Sequence, residues 1–107
     1  DTGDNSMTDI LNYLNTHYQE VTLSDTARHF GYSTSHFSTL IKEGTGRTFL
    51  QIIRDIKLNQ ACRALRETSL SNAAICELAG YDSPEHFMLT FNKAYNMTTG
   101  EYRNKYK

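Results

Sequence analysis

Lysine and arginine side chains are the residues of this sequence best suited to chemistry with a charged partner, and all 11 of them follow residue 25. The first 25 residues carry 5 acidic side chains and no basic one. From residue 26 onward, 11 basic side chains face 7 acidic ones, a balance of +4 in a chain whose net charge is −1. Because clustered Lys and Arg neutralise polyanions, this asymmetry is compatible with a modest basic surface.

The histidines and cysteines do not have the pattern of a metal site or a catalytic centre. They are His17, His29, His36, His86, Cys62 and Cys76. Their spacing is not that of a zinc site, and no nucleophile with a base, phosphate-cradling glycine loop or carboxylate pair stands out elsewhere. Both cysteines occupy apolar helical positions, which favours reduced core residues over a disulfide. We therefore expect no metal, no cofactor and no enzymatic activity.

Length and hydropathy limit the architecture. With 107 residues, of which 38% are hydrophobic, the chain forms one small domain or two very small subdomains that share an element. No apolar run approaches the ~18 residues that span a bilayer, and no signal-peptide pattern is present. We therefore expect a soluble, cytoplasmic protein without a membrane partner.

One long helix, predicted from Thr48 to Leu65, organises the elements that carry the charged residues. Thr48 and Gln51 match a capping box, and neither Gly nor Pro interrupts the run. Its apolar residues form one stripe in the first half and a stripe on nearly the opposite face in the second half. These are Phe49, Ile52, Ile53 and Ile56, then Leu58, Ala61, Cys62 and Leu65. A helix in a single core keeps one stripe, so we predict that this helix joins two subdomains. A fully buried central helix is the alternative, which its charged residues disfavour.

Capping residues and glycines predict shorter helices on both sides, giving an all-α protein of about seven helices. The predicted caps are Ser6, Thr22, Ser33, Ser71 and Ser83, and the predicted stops are Gly31, Gly44, Gly46 and Gly80. A final short helix is predicted from about Thr98. The predicted divisions are a linker remnant (1–6), a first helix-turn-helix subdomain (7–47), the connecting helix (48–66) and a second helix-turn-helix subdomain (67–107).

The short helices form an internal repeat. Thr22, Ala27, Gly31 and Tyr32 recur 49 residues later as Ser71, Cys76, Gly80 and Tyr81. At a spacing of 50, Ser33, His36, Phe37, Ile41 and Thr48 recur as Ser83, His86, Phe87, Phe91 and Thr98. A small residue four positions before a glycine lets the first helix of a pair pack closely on the second, which is the mechanics of a helix-turn-helix. One such match is weak evidence, but two in register are strong.

With these motifs in place, the sequence resembles the DNA-binding domain of AraC/XylS-type transcription regulators over roughly Met7 to Arg103. The motifs are Gly31-Tyr32-Ser33 with Phe37, Lys42-Glu43-x-x-Gly46, Leu58-x-x-Ala61-x-x-x-Leu65, Gly80-Tyr81 with Phe87 and Phe91, and Met97-Thr98 with Tyr102-Arg103. The resemblance implies sequence-specific binding of double-stranded DNA, with two recognition helices in successive major-groove segments of one DNA face.

Carried over residue by residue, the resemblance implies two kinds of DNA contact. Base contacts would come from Ser35, Ser38 and Thr39 in the first recognition helix and from Glu85, His86 and Leu89 in the second. Phosphate contacts would come from Lys42, Arg47, Arg54, Lys93 and Arg103. Hydroxyls donate or accept, a carboxylate can accept from cytosine N4, an imidazole can donate to guanine, and leucine can contact a thymine methyl group. For each charge, an ordinary solvated surface position is the alternative.

Two departures from the family pattern keep a second hypothesis open. The family often has an arginine where this sequence has Thr39 and Leu89. With the near-neutral net charge, this motivates a helix-turn-helix-derived protein-interaction module with little or no DNA binding. The expected partners are double-stranded DNA and either RNA polymerase or a sensor or dimerisation domain of the same full-length chain.

Overall fold

The structure, a computed structural model, describes residues 7–106. This part of the chain contains seven α-helices and no strand, which confirms the predicted all-α class. The helices are α1 (Met7–His17), α2 (Leu23–His29), α3 (Thr34–Thr45), α4 (Phe49–Glu67), α5 (Asn72–Leu78), α6 (Pro84–Tyr95) and α7 (Thr99–Tyr106). The predicted linker and the predicted cap Ser6 lie outside the described residues.

Side-chain caps set the starts of α2 to α7, as the sequence predicts. Ser33 and Ser83 accept hydrogen bonds from the backbone N–H groups of the residues three positions later, at 3.1 and 3.3 Å. At the start of α4, the Thr48 N–H donates to Gln51 Oε1 at 2.9 Å, and the Gln51 N–H donates to Thr48 Oγ1 at 3.1 Å. Each cap satisfies a donor that the first helical turn leaves without an intrahelical partner, a contribution of about 1 kcal/mol.

The repeat seen in the sequence is also a repeat of backbone structure. In the turn between α2 and α3, the Tyr32 N–H donates to the Ala27 carbonyl at 2.9 Å. In the turn between α5 and α6, the Tyr81 N–H donates to the Cys76 carbonyl at 3.1 Å. The residue before each tyrosine is a glycine with a positive φ, +82° at Gly31 and +86° at Gly80. Residues that have a Cβ rarely adopt this backbone conformation. The chain therefore folds into two helix-turn-helix pairs, α2–α3 and α5–α6.

The end of α3 differs from the sequence prediction at one of its two glycines. Gly46 ends the helix with a φ of +78°, whereas Gly44 lies inside α3. A Cβ on Gly44 would collide with the terminal methyl group of Met7 in α1. The prediction that Gly44 stops the helix is wrong, because α3 continues to Thr45 and the chain leaves the helix at Gly46, where φ is positive. At the matching turn of the second copy, Asn96 replaces glycine and holds a φ of +57°.

Two compact units divide between Ile56 and Lys57, within α4, and each has its own hydrophobic core. The first core takes the apolar residues of the first half of α4, including Ile53, and the second takes those of the second half, including Leu65. Arg54 and Arg63 remain exposed on the same helix. The predicted change of stripe is confirmed, and the fully buried alternative is wrong.

Aromatic side chains fix the second helix of each pair against its own core. In the first unit, the ring of Phe37 is completely buried and stacks on Tyr32 with 5.8 Å between the centroids. In the second unit, Phe87 and Phe91 are buried, and Tyr102 packs edge-on against Phe91 at 5.5 Å. Because the aromatic face of each helix is held inward, the opposite face is held outward.

Candidate nucleic-acid interface

The outward face of α3 is a row of small hydroxyl side chains that ends in a lysine. Ser35, Ser38, Thr39 and Lys42 follow helical spacing on one side of the helix, and all four are exposed. The Thr39 hydroxyl donates to the Ser35 carbonyl at 3.2 Å, which leaves its oxygen lone pairs available as acceptors. The structure thus brings the three predicted base-contact residues of this helix together, beside a cation.

The outward face of α6 has a different chemistry. Glu85, His86 and Leu89 are exposed, and Lys93 follows one turn after Leu89. The ring of His86 packs edge-on against Tyr81 with 5.5 Å between the centroids, which restricts its orientation. The backbone N–H of Glu85 and then the Ser83 hydroxyl, at 2.9 Å, donate to the Glu85 carboxylate and lower its pKa. The outward face of this helix therefore consists of an ionised carboxylate, an imidazole and a solvent-exposed leucine side chain.

The predicted phosphate-contact residues of the first unit fall into two groups. Lys42 and Arg54 are exposed and stand on α3 and α4. Arg47 forms an ion pair with Asp55, and both side chains remain partly accessible. A phosphate bound by Arg47 would have to share the guanidinium with this carboxylate. Nothing in the sequence indicates this pair, because residues eight positions apart, one of them before the helix begins, do not meet on a helix surface.

Arg103 has a structural environment unlike that of the other predicted phosphate contacts. Its guanidinium donates to the carbonyls of Leu65, Thr68 and Leu70 at 3.2, 3.3 and 2.8 Å. The C-terminal carbonyls of a helix have no intrahelical donors and carry a partial negative charge. Arg103 therefore caps the end of α4 and ties α7 to it, within the second unit.

We expect Arg103→Ala to lower the free energy of unfolding by roughly 1.5–3 kcal/mol, the value of hydrogen bonds to a charged group. Lys93→Ala is the matched control, because Lys93 is exposed on α6. It should leave the unfolding midpoint within error. Urea denaturation followed by circular dichroism measures both. An unchanged midpoint for Arg103→Ala, together with weaker DNA binding, would return this residue to the phosphate-contact set.

Metal-ligating side chains and cysteine thiols are the other groups of residues 7–106 that could form a site. Within residues 7–106, no three His, Cys, Asp or Glu side chains are placed to hold one metal ion. Cys62 and Cys76 are both buried and free, and burial raises the pKa of the Cys76 thiol, so the thiolate that would react is disfavoured. Over the same residues, the helices are too short or too polar to cross a membrane.

The comparisons with known proteins decide the family. A family model described as a helix-turn-helix domain matches residues 26–105. The chain belongs to the AraC-type helix-turn-helix family. The predicted family is confirmed, and so is the predicted class, the DNA-binding domain of a transcription regulator.

Three relatives of the AraC-type domain show how far the similarity extends. The HTH-type transcriptional regulator GlxA of Rhizobium meliloti (strain 1021) is 35% identical over 79 residues, which are 74% of this chain but 24% of that regulator. A transcriptional regulator from Chromobacterium violaceum, described as having an AraC-type DNA-binding domain, superimposes with a TM-score of 0.85 at 25% identity, over 92% of this chain and 89% of that one.

The third relative was solved with DNA. The DNA-binding domain of AdpA, a global transcriptional factor, was crystallised in complex with a target DNA. It superimposes with a TM-score of 0.88 over 96% of this chain and 94% of its own, at 19% identity. At that identity the similarity shows only that this chain has the AraC-type fold. The complex with DNA is an observation on AdpA alone.

Proposed function

We propose that this chain is the sequence-specific DNA-reading module of a transcription regulator, with α3 and α6 as recognition helices in successive major-groove segments. One observation carries the proposal: each helix has a buried aromatic face and an opposite, exposed face with hydrogen-bonding groups, to which α6 adds the exposed Leu89. A helix held in this way fits the major groove, where base edges present donors, acceptors and methyl groups.

Within this proposal, the predicted contacts divide by availability. Lys42, Arg54 and Lys93 are exposed cations suited to phosphate contacts. Arg47 is a weaker candidate because Asp55 already binds its guanidinium. Arg103 is the weakest, because its donors are directed at backbone carbonyls. We propose base contacts for Ser35, Ser38 and Thr39 in α3, and for Glu85, His86 and Leu89 in α6.

The alternative prediction was a protein-interaction module, motivated by outward faces of α3 and α6 that carry no arginine. Ionic strength separates the two functions. A protein that neutralises phosphates releases condensed counterions, so the logarithm of its association constant falls linearly with the logarithm of salt concentration. Binding to a neutral protein groove lacks this dependence. The test is a titration of labelled genomic duplex fragments at two salt concentrations.

In the same titration, Lys42→Ala should weaken binding to all duplexes alike and reduce the salt slope by about 1, because one phosphate contact is lost. Lys105→Ala is the control, since Lys105 is an exposed lysine of α7 outside the proposed contact set. Its slope should stay unchanged. No measurable duplex binding at low salt would favour the protein-interaction module. Equal slopes for wild type and Lys42→Ala would remove Lys42 from the phosphate contacts.

The same proposal extends to the whole protein. The chain spans 24% of the length of GlxA and 32% of a related RhaR activator, so these relatives carry further segments. We propose that a sensor or dimerisation domain of the full-length chain, or RNA polymerase, is the protein partner. We also propose a non-enzymatic, cytoplasmic regulator without a membrane partner. Residues 7–47, 48–66 and 67–107 remain the proposed divisions.

A further inference from the structure

The outward face of α6 combines a hydrogen-bonded carboxylate, Glu85, with a solvent-exposed apolar side chain, Leu89. Leu89 is 71% exposed, although leucine is a residue type that folding usually buries. Glu85 lies one helical turn before it, on the same side of the helix. The first unit has no such combination, because the residues of α3 that match them are Ser35 and Thr39.

An open concavity of about 510 Å³ lies beside these two side chains. Its lining consists of Pro84, Glu85, Met88, Leu89, Asn92 and Thr98. Met88, one of the lining residues, is restrained on its inner side, because the hydroxyl of the buried Thr99 donates to the Met88 sulfur at 3.6 Å. The concavity therefore lies where α6 meets the start of α7, and it is open to solvent, so a small apolar group can reach Met88 and Leu89.

The carboxylate restricts what can bind here. Glu85 stays ionised, because its own N–H and the Ser83 hydroxyl donate to it. An ionised carboxylate accepts hydrogen bonds and cannot donate, so it is repelled by phosphate and by guanine N7 and O6. Two amino groups are exposed in the major groove, cytosine N4 and adenine N6, but adenine presents the acceptor N7 next to its amino group. Cytosine is the base that suits Glu85.

The apolar surface adds a second requirement. The only apolar group that unmodified DNA presents in the major groove is the thymine C5-methyl group. Glu85 and Leu89 are four residues apart, hence about 6 Å along the helix axis. That separation suits groups on neighbouring base pairs better than two groups on one base.

On the basis of the proposed DNA-binding function, we propose that α6 reads a cytosine and a thymine in adjacent base pairs. Glu85 accepts a hydrogen bond from the cytosine amino group, and the thymine methyl group enters the concavity between Met88 and Leu89. The two parts of the site act together. The carboxylate selects cytosine at one base pair, and the concavity selects thymine at the neighbouring base pair.

The test begins with a duplex selected from a randomised library and then uses synthetic versions of it. Replacing the thymine by uracil removes only the methyl group, and the wild-type protein should then bind about fourfold more weakly, as expected for one methyl group that is no longer buried. Leu89→Ala should bind the thymine and uracil duplexes equally. Leu50→Ala is the matched control, because Leu50 is 77% exposed but lies on α4. It should keep the fourfold difference.

A second variant tests the carboxylate. A glutamine side chain can bond both N6 and N7 of adenine, so Glu85→Gln should shift the preference at the neighbouring position from cytosine to adenine by roughly tenfold. Equal binding of thymine and uracil duplexes by the wild type would overturn the proposal. A duplex in which uracil replaces the thymine and 5-methylcytosine replaces the cytosine gives a second contradicting outcome. If this duplex regained the affinity of the thymine duplex, the concavity would take a methyl group from the same base that Glu85 contacts, and not from its neighbour. Failure to select any duplex would instead overturn the DNA-binding function itself.

Discussion

Leu65→Ala should destabilise the second unit by about 2–5 kcal/mol and leave amide protection in the first unit nearly unchanged. Leu65 is completely buried in the second core, where its removal leaves a cavity among residues of α4 to α7. Ile53→Ala should instead destabilise the first unit and leave amide protection in the second unit nearly unchanged, because Ile53 is only 7% exposed and lies in the first core. Residue-resolved hydrogen exchange under native conditions measures the protection of each unit separately.

The control for both variants is Arg63→Ala, which alters an exposed residue of the same helix. It removes the Arg63–Glu67 ion pair at the surface and should change neither unit by more than about 1 kcal/mol. Uniform loss of protection over residues 7–106 for both core variants would mean that the chain has one cooperative core despite its two clusters.

Inserting about five base pairs between the two half-sites should lower the specific affinity close to the non-specific level, a loss of about a thousandfold or more. The proposed binding site has halves about 10 base pairs apart, one for each recognition helix. Five extra base pairs move the second half-site to the opposite face of the duplex. The two readers belong to one chain and are connected through α4, a helix of 19 residues and hence about 28 Å.

The site should also be asymmetric. The outward faces of α3 and α6 differ at three matching positions, Ser35 and Glu85, Ser38 and Met88, and Thr39 and Leu89. One chain therefore has no means of reading two mirror-related half-sites. Replacing five spacer base pairs without changing the length is the control, and it should alter affinity only through the bending energy of the new sequence. If affinity survived the insertion, α6 would be a support for the fold and α3 the only reader.

The sequence by itself determined the helices, their caps and the repeat. Thr48 with Gln51, and Ser83 before Pro84, act through hydrogen bonds and steric effects within one turn, so their residue types suffice to predict them. The change of stripe in α4 was equally readable, because the helical period fixes which side chains share a face. The predicted α3 contacts on one exposed face follow from the same period.

Contacts between residues far apart in the sequence were decided only by the tertiary structure. Arg103 meets the carbonyl of Leu65 across 38 positions, and nothing local distinguishes it from an arginine directed at solvent. Gly44 was predicted to stop α3, but it lies inside that helix, with the terminal methyl group of Met7 from α1 against it. The concavity beside Leu89 exists because α7 brings Thr99 against Met88. Periodicity specifies which face of a helix is apolar, but the partner of each side chain depends on how the helices pack.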